Sequence, residues 1–347
     1  MSDIIITKEY TIKQAIKQLD VTAKKTLFVA DNNILLGSIT DGDIRRWILK
    51  NGSLDEDVTN VMNINCKTLF EHKKSIAHKI MSMYNINAIP IVTKENEIVE
   101  IVFADKSDIF AMKKATLNNK VVVMAGGKGT RLYPYTQILP KPLIPIGEKS
   151  IIEHIFGRFS AFGCNDFILT LNYKKGMIKS YLDDLEQDYT FTYIEEQDFF
   201  GTAGSLSMLT GQIDDTFFVT NCDILVDADY AKIIDQHKRN KNKITMVTSI
   251  TNYTIPYGVI ESTSEGTIST IHEKPEYNFQ INTGVYVLEP EVLEDIPKDT
   301  FFHITDLIDL YIKQNKKVGV FPIRSSQWLD MGEIDLMQKM KEKLENM

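Results

Sequence analysis

Cysteine is scarce in this chain: Cys66, Cys164 and Cys222 are the only three in 347 residues, and no two of them stand in C-x-x-C spacing. That pattern offers neither a disulfide framework nor a zinc site, and it leaves the three as small buried hydrophobes. Long apolar runs are missing too, since nothing approaches the roughly eighteen residues of a membrane span. The opening MSDIIITKEYTIK scatters charges through a short apolar stretch, unlike a secretory leader, so a cytoplasmic protein without a membrane partner is expected. Basic blocks are also absent: 39 Lys and Arg stand against 47 Asp and Glu, a net charge of −8. Such a balance steers the reading away from nucleic acid and towards small-molecule chemistry. What remains is an ordinary globular composition, 43% hydrophobic and 25% charged, at a length that suggests two or three domains.

The most informative stretch is VVVMAGGKGTRLYPYTQILPKPLIPI at residues 121–146. Three valines and a Met run straight into Ala125, Gly126, Gly127, Lys128, Gly129, Thr130 and Arg131, which reads as a buried strand ending in a glycine-rich loop. Glycines let backbone N–H groups approach an anion closely, so such a loop is a phosphate cradle. Two familiar phosphate loops do not fit. A P-loop needs Ser or Thr directly after Gly-Lys, where Gly129 stands, and a dinucleotide fingerprint needs a third Gly where Leu132 stands. The pattern present, G-G-x-G-T-R-L-x-P-x-T-x-x-x-P-K-P-L-x-P-I, resembles the nucleotide loop of the sugar-1-phosphate nucleotidyltransferases.

Residues 1–115 differ in character and contain an internal repeat of about 64 residues. In the first copy, Ile12, Ala15, Ile16 and Leu19 have helical spacing, residues 26–30 and 34–40 read as strands, and residues 41–51 read as a helix. In the second, Ser75, Ile76, Ile80 and Met83 mark the helix, residues 88–93 and 98–103 the strands, and Asp105 opens a closing helix. This arrangement resembles a tandem CBS domain pair, an α+β module that binds adenine nucleotides or mediates dimerisation. Gly37-Ser38-Ile39-Thr40-Asp41-Gly42-Asp43 resembles the family's ribose motif, with Thr40 and Asp43 as the ligand residues; the same two residues read equally well as a helix cap. The second copy has Asp105 and Asp108 at these places and lacks the hydroxyl.

The polar residues 113–120 read as a linker, which gives copies at 1–60 and 61–115 and a third domain at 119–347. There strands and helices alternate, which predicts an α/β fold, a Rossmann-like mixed but mostly parallel sheet covered by helices, of the GT-A-like kind. Ligands of such sheets collect at the carboxyl ends of strands, where the glycine loop lies. The resemblance then implies roles: Arg131 towards a triphosphate, Lys141 on the reacting phosphates, Asp223 and Asp330 on Mg2+. Asp223 taken alone would also fit an Asx turn. It further implies that Gly201, Thr202, Ala203 and Gly204 lie near the base and sugar, that Glu273 and Lys274 hold the sugar and its phosphate, and that Asn282 faces the sugar; Glu196, Tyr257 and Gly258 are further candidates, Gly258 on the sugar-phosphate side. His272 reads as structural, because a sugar phosphate is largely dianionic at neutral pH and needs no base.

The implied reaction joins a nucleoside triphosphate, GTP favoured, to a sugar 1-phosphate and releases pyrophosphate. With CBS domains in front, the chain resembles the bacterial guanylyltransferases of surface-sugar pathways, including those that feed legionaminic acid synthesis, and a homo-oligomer with a regulatory nucleotide is expected. The alternatives are a uridylyl or thymidylyl transferase of the same fold, or a non-catalytic regulatory subunit that senses nucleotide sugars.

Overall fold

The computed structural model describes residues 2–22, 24–104 and 116–345. The chain divides into two compact units, Met1–Lys114 and Ala115–Met347. The closing helix expected from Asp105, with Asp105 and Asp108 themselves, lies outside the described residues, as do residues 113–115 of the expected linker.

In the first unit each half builds a three-stranded sheet with the same pairing. Ile5–Thr7 lies parallel to Thr26–Asp31, which turns back as Ile34–Thr40; Leu69–Phe70 lies parallel to Ala88–Val92, which turns back as Ile98–Phe103. The two hairpin turns exchange reciprocal hydrogen bonds. Ile98 N–H donates to the Asn33 carbonyl and Asn33 Nδ2 to the Ile98 carbonyl, while Leu35 N–H and Asn96 Nδ2 make the equivalent pair. The expected second-copy helix is shifted. Residues 75–76 belong to a 3-10 turn, Glu71–Ile76, and the α-helix Ala77–Tyr84 buries Ala77 and Met81 while Met83 is 63% exposed. A 3-10 turn advances three residues rather than 3.6 per revolution, so the apolar stripe rotates away from Met83.

The second unit is built on a seven-stranded sheet in the order Thr190–Glu195, Asp166–Leu171, Val121–Met124, Phe217–Asn221, Glu276–Leu288, Ile244–Thr254, Val318–Arg324. Only Glu276–Leu288 runs against the rest, so the sheet is mixed and mostly parallel, as the alternation of elements predicts. Both faces are buried, which explains the continuous apolar runs. Val121, Val123, Phe167 and Phe218 face one core with the helices Ile151–Ser160, Lys175–Asp183 and Tyr230–Asn240. Val122, Ile168, Phe217 and Val219 face the other with Ile304–Lys313. The helix Ile151–Ser160 starts where the sequence signals it, with Ser150 and Glu153 forming a capping box.

At the amino ends of the parallel strands lies a buried polar network. Fully buried His237 contacts Thr245 Oγ1 through Nδ1 at 2.8 Å and Glu289 Oε1 through Nε2 at 2.9 Å, and Thr216 Oγ1 donates to the same carboxylate oxygen. Burial pushes the His237 pKa below its ordinary value, with Glu289 opposing and Lys238 and Lys243 adding to the shift. The folded protein therefore holds the neutral ring. The stability this contributes is full above the unfolded value of about 6.5 and is lost as pH falls from there through the lower folded value. Denaturant titrations between pH 8 and 5 should show stability falling below about 6.5. His237→Ala should cost on the order of 2 kcal/mol at neutral pH and flatten that slope, because its partners lose their bonds.

Candidate functional site

The carboxyl ends of the parallel strands open into two adjoining cavities. The larger, about 300 Å³, is lined by Gly126, Gly127, Gly129, Thr130, Arg131, Lys141, Glu196, Phe199, Gly201, Thr202 and Asp223 among others. The smaller, about 150 Å³, is lined by Asn282, Thr283, Gly284, Tyr286, Trp328 and Asp330, and it shares Arg131, Asn221 and Asp223 with its neighbour.

The glycine loop is shaped by close approach. Gly129 has φ +64°, and a Cβ there would lie 2.9 Å from Thr136 Cγ2 and 3.2 Å from Lys141 Cβ. Thr136 Oγ1 donates to the Gly129 carbonyl at 2.8 Å and fastens the loop from below. Lys141, bracketed by Pro140 and Pro142 at the start of a 3-10 turn, is 8% exposed and forms an ion pair with Asp223. Ala125 is buried beneath the loop, its N–H donating to the Thr170 carbonyl.

Asp223 follows the strand Phe217–Asn221, and the next residues, Ile224–Val226, pair with Trp328–Asp330. Ile224 is opposite Asp330, and Met331 N–H donates to the Asp223 carbonyl at 2.8 Å. Two carboxylates more than a hundred residues apart in sequence thus share one cavity. Burial pushes the Asp330 pKa above the usual carboxylate range, and the charge of Asp223 adds to the shift. Gly332 N–H, Lys141 and Arg131 oppose it.

On the neighbouring antiparallel strand, Gly284 has φ +81° and no room for a side chain, because a Cβ would stand 2.6 Å from Asn221 Nδ2. Asn282 donates to the Tyr286 hydroxyl at 2.6 Å and accepts from Gly284 N–H at 2.9 Å, which fixes its amide at the cavity wall. At the far end of the larger cavity Glu196 is 3% exposed, and burial pushes its pKa up.

Not every residue singled out from the sequence reaches a cavity wall. Ala203 and Gly204 turn into the fold, their N–H groups donating to the Phe302 carbonyl, and a Cβ on Gly204 would lie 2.5 Å from the Thr300 carbonyl oxygen. Gly258, Glu273 and Lys274 are exposed and belong to the hairpin region around Val259–Ser262 and Ile268–His272, with Glu273 beside Gly258. His272 lies on the same hairpin, 3.7 Å from Glu261. Conversely, Asn221, Phe199 and Tyr286 line the cavities without having been assigned a role from the sequence. Asn221 was within reach of that reading, standing two residues before Asp223 at a strand end.

Among the described residues no group of three or more His, Cys, Asp or Glu side chains could hold a metal ion. None of their helices is long and apolar enough to cross a membrane. In the first unit Thr40 and Asp43 form a capping box at the helix Asp41–Ile48, with Thr40 Oγ1 donating to Asp43 Oδ2 at 2.6 Å and Arg46 paired with the same carboxylate.

Residues 120–347 match the family model described as Nucleotidyl transferase. Over 230 residues, 62% of the chain, the sequence is 32% identical to a mannose-1-phosphate guanyltransferase of Debaryomyces hansenii, and it covers 61% of that protein's length. A mannose-1-phosphate guanylyltransferase of Mycobacterium tuberculosis is 29% identical over 223 residues, 63% of the chain and 62% of the relative. The chain thus spans about three fifths of the length of these curated relatives. Among solved structures, HddC of Yersinia pseudotuberculosis superposes with a TM-score of 0.52 at 26% identity, covering 65% of this chain and 99% of that one. A second structure of HddC, complexed with GMP-PN, gives a TM-score of 0.51 at 25% identity.

Gly129→Ala should place a methyl group against Thr136 and Lys141 at a left-handed backbone position, and so destabilise the second unit by about 1–2 kcal/mol. Thermal unfolding compared with Gly127→Ala, where a Cβ meets nothing within 4 Å, provides the control.

Proposed function

Because the chain belongs to the nucleotidyl transferase family, we propose that its second unit transfers a nucleoside monophosphate from a triphosphate, GTP favoured, to a sugar 1-phosphate of the mannose or glucosamine class. A phosphate oxygen of the sugar 1-phosphate attacks the α-phosphorus in line. The bond to the bridging oxygen breaks, and pyrophosphate leaves with the electron pair. The observation that carries this reading is the junction of the two cavities at Arg131 and Asp223: a glycine loop lies on one side, and Asn282 with a second carboxylate lies on the other. One cavity suits a triphosphate, and the other an acceptor whose phosphate meets it at the junction.

Negative charge accumulates on the α-phosphate and on the departing pyrophosphate in the transition state, where preorganised cations lower the barrier most. Arg131 and Lys141 are held for that task, Lys141 by its two prolines and its pair with Asp223. The donor set also fits a magnesium ion, which typically takes one or two carboxylates and completes its shell with water and phosphate oxygens. Asp223 and Asp330 would hold it; burial first, and then the charge of Asp223, raise the Asp330 pKa, and a dication between the two would offset both. When bound, the ion supplies neutralisation of the phosphate oxygens. Lys274 and Glu273, on the hairpin, are assigned to the acceptor's phosphate and hydroxyls, and Gly258 to the backbone beside Glu273.

For the first unit the reading is a CBS pair, supported by its two equivalent sheets and their reciprocal hydrogen bonds. It would bind a purine nucleotide at Thr40 and Asp43 or serve self-association of the chain. With that module the enzyme would belong to the cytoplasmic synthesis of nucleotide sugars for surface glycans, the branch that includes legionaminic acid.

Pyrophosphate release measured with GTP, UTP, dTTP and ATP against mannose, glucosamine and glucose 1-phosphates tests the assignment. Turnover highest with GTP supports it, turnover only with UTP or dTTP moves the base preference, and no turnover with any pair rejects transfer in favour of a regulatory role. Lys141→Ala and Asp223→Ala should each lower turnover by on the order of a hundredfold, the scale for losing one electrostatic group at a reacting phosphate. Lys274→Ala should raise the KM for sugar 1-phosphate much more than that for GTP, because its role is ground-state binding of the acceptor.

A further inference from the structure

Four parallel strands end side by side at the larger cavity, in the order Glu195, Leu171, Met124, Asn221. At a strand spacing of about 4.8 Å, the row from Glu195 to Asn221 is about 14 Å long. Its ends differ chemically. Lys141, Asp223 and the second carboxylate gather at the Asn221 end, the glycine loop follows the strand Val121–Met124 in the middle, and the Glu195 end leads through Glu196 to aromatic rings. Phe199 lines the cavity there and is 49% exposed; Phe301 is 56% exposed, its ring centroid 5.9 Å from that of Phe199 and tilted by 58°.

Two Phe rings half open to water at a cavity mouth are not core residues, yet the chain holds them firmly. Phe302 N–H donates to the Phe200 carbonyl, and Ala203 and Gly204 N–H groups donate to the Phe302 carbonyl. Thr202 Oγ1 accepts from Ile304 N–H at 3.0 Å and contacts His303 Nδ1 at 3.3 Å. Gly201, at φ +80°, permits this approach, because a Cβ there would lie 2.7 Å from the Phe302 carbonyl oxygen. The residues of the G-T-A-G segment thus clamp residues 300–304 beside Phe199, and that clamp positions Phe301.

We propose that Phe199, positioned by Phe301, is the stacking platform for the nucleobase of the triphosphate, and that its ring area favours a purine. The inference rests on the nucleotidyl-transfer reading and adds the surface that holds the base. A nucleotide with its α-phosphate near Lys141 and its phosphates over the glycine loop extends its base away from the charged end, along the row towards Phe199. Every base has a π-face, but a purine covers more of a Phe ring than a pyrimidine does.

Calorimetric titration of the full chain with GTP, UTP and inorganic tripolyphosphate, in magnesium and without sugar phosphate, tests the proposal. Phe199→Ala should weaken GTP about tenfold or more, weaken UTP less, and leave tripolyphosphate unchanged; Phe199→Tyr should keep the wild-type affinity, and Phe301→Ala should show a smaller loss. In turnover, Phe199→Ala should raise the KM for GTP with kcat little changed. Unaltered GTP affinity in Phe199→Ala overturns the platform and leaves nucleotidyl transfer standing, as does an equal loss for GTP and tripolyphosphate, which would mark general damage to the cavity. A wild-type chain that binds no nucleotide overturns the transfer reading and the platform together.

Discussion

A desolvated ion pair between Lys141 and Asp223 joins two segments 82 residues apart, with side chains only 11% and 13% exposed. Neither charge could be held there alone, since an unpaired buried ion costs several kcal/mol, while the pair itself adds little net stability. Its consequence is positional. It sets the proline-bracketed turn, and with it the glycine loop that packs on Lys141 Cβ, against the end of the central strand Phe217–Asn221. The pairing of Ile224–Val226 with Trp328–Asp330 then delivers the second carboxylate to the same place. Both cavities meet at this junction, so the geometry of the whole site follows from where these two charges are pinned.

Local signals in the sequence carried the second unit far. The strand Val121–Met124 stops where its apolar run meets the glycine-rich loop, as that run predicts. Such strands are short apolar runs bounded by turn residues, and that signal is local. What was not legible is long-range. Glu276–Leu288 runs antiparallel between two parallel neighbours, and nothing local in Asn282-Thr283-Gly284 states its direction. The helix Ala77–Tyr84 was misaligned for a local reason, since a preceding 3-10 turn rotates the apolar stripe without changing which residues are apolar.

The site divides in the same way. Arg131, Lys141, Asp223, Asn282 and Asp330 were singled out through segments that resemble the nucleotidyltransferases, and the structure places all five on the walls of the two adjoining cavities. Ala203 and Gly204 were legible as a motif but not as to purpose. Their small size serves the approach of residues 300–302, a contact that depends on a segment about a hundred residues away. Phe199 and Phe301 carry no motif, and only the folded chain shows two exposed rings side by side.

The two ends of the sheet's strands treat charge in opposite ways. At one, His237, Glu289, Thr216 and Thr245 compensate one another in a closed network, as a buried polar cluster must to avoid a penalty. At the other, the described cavity walls carry the cations Arg131 and Lys141 against the carboxylates Glu196, Asp223 and Asp330. Two cations already opposed by three carboxylates cannot neutralise the several negative charges of a triphosphate. A polyphosphate could therefore settle on this glycine loop only in company with further positive charge. Asp223 and Asp330, among the carboxylates that make the cavity hostile to a bare triphosphate, are groups on which such positive charge would settle, so side chains that alone would repel a phosphate could admit one in its company.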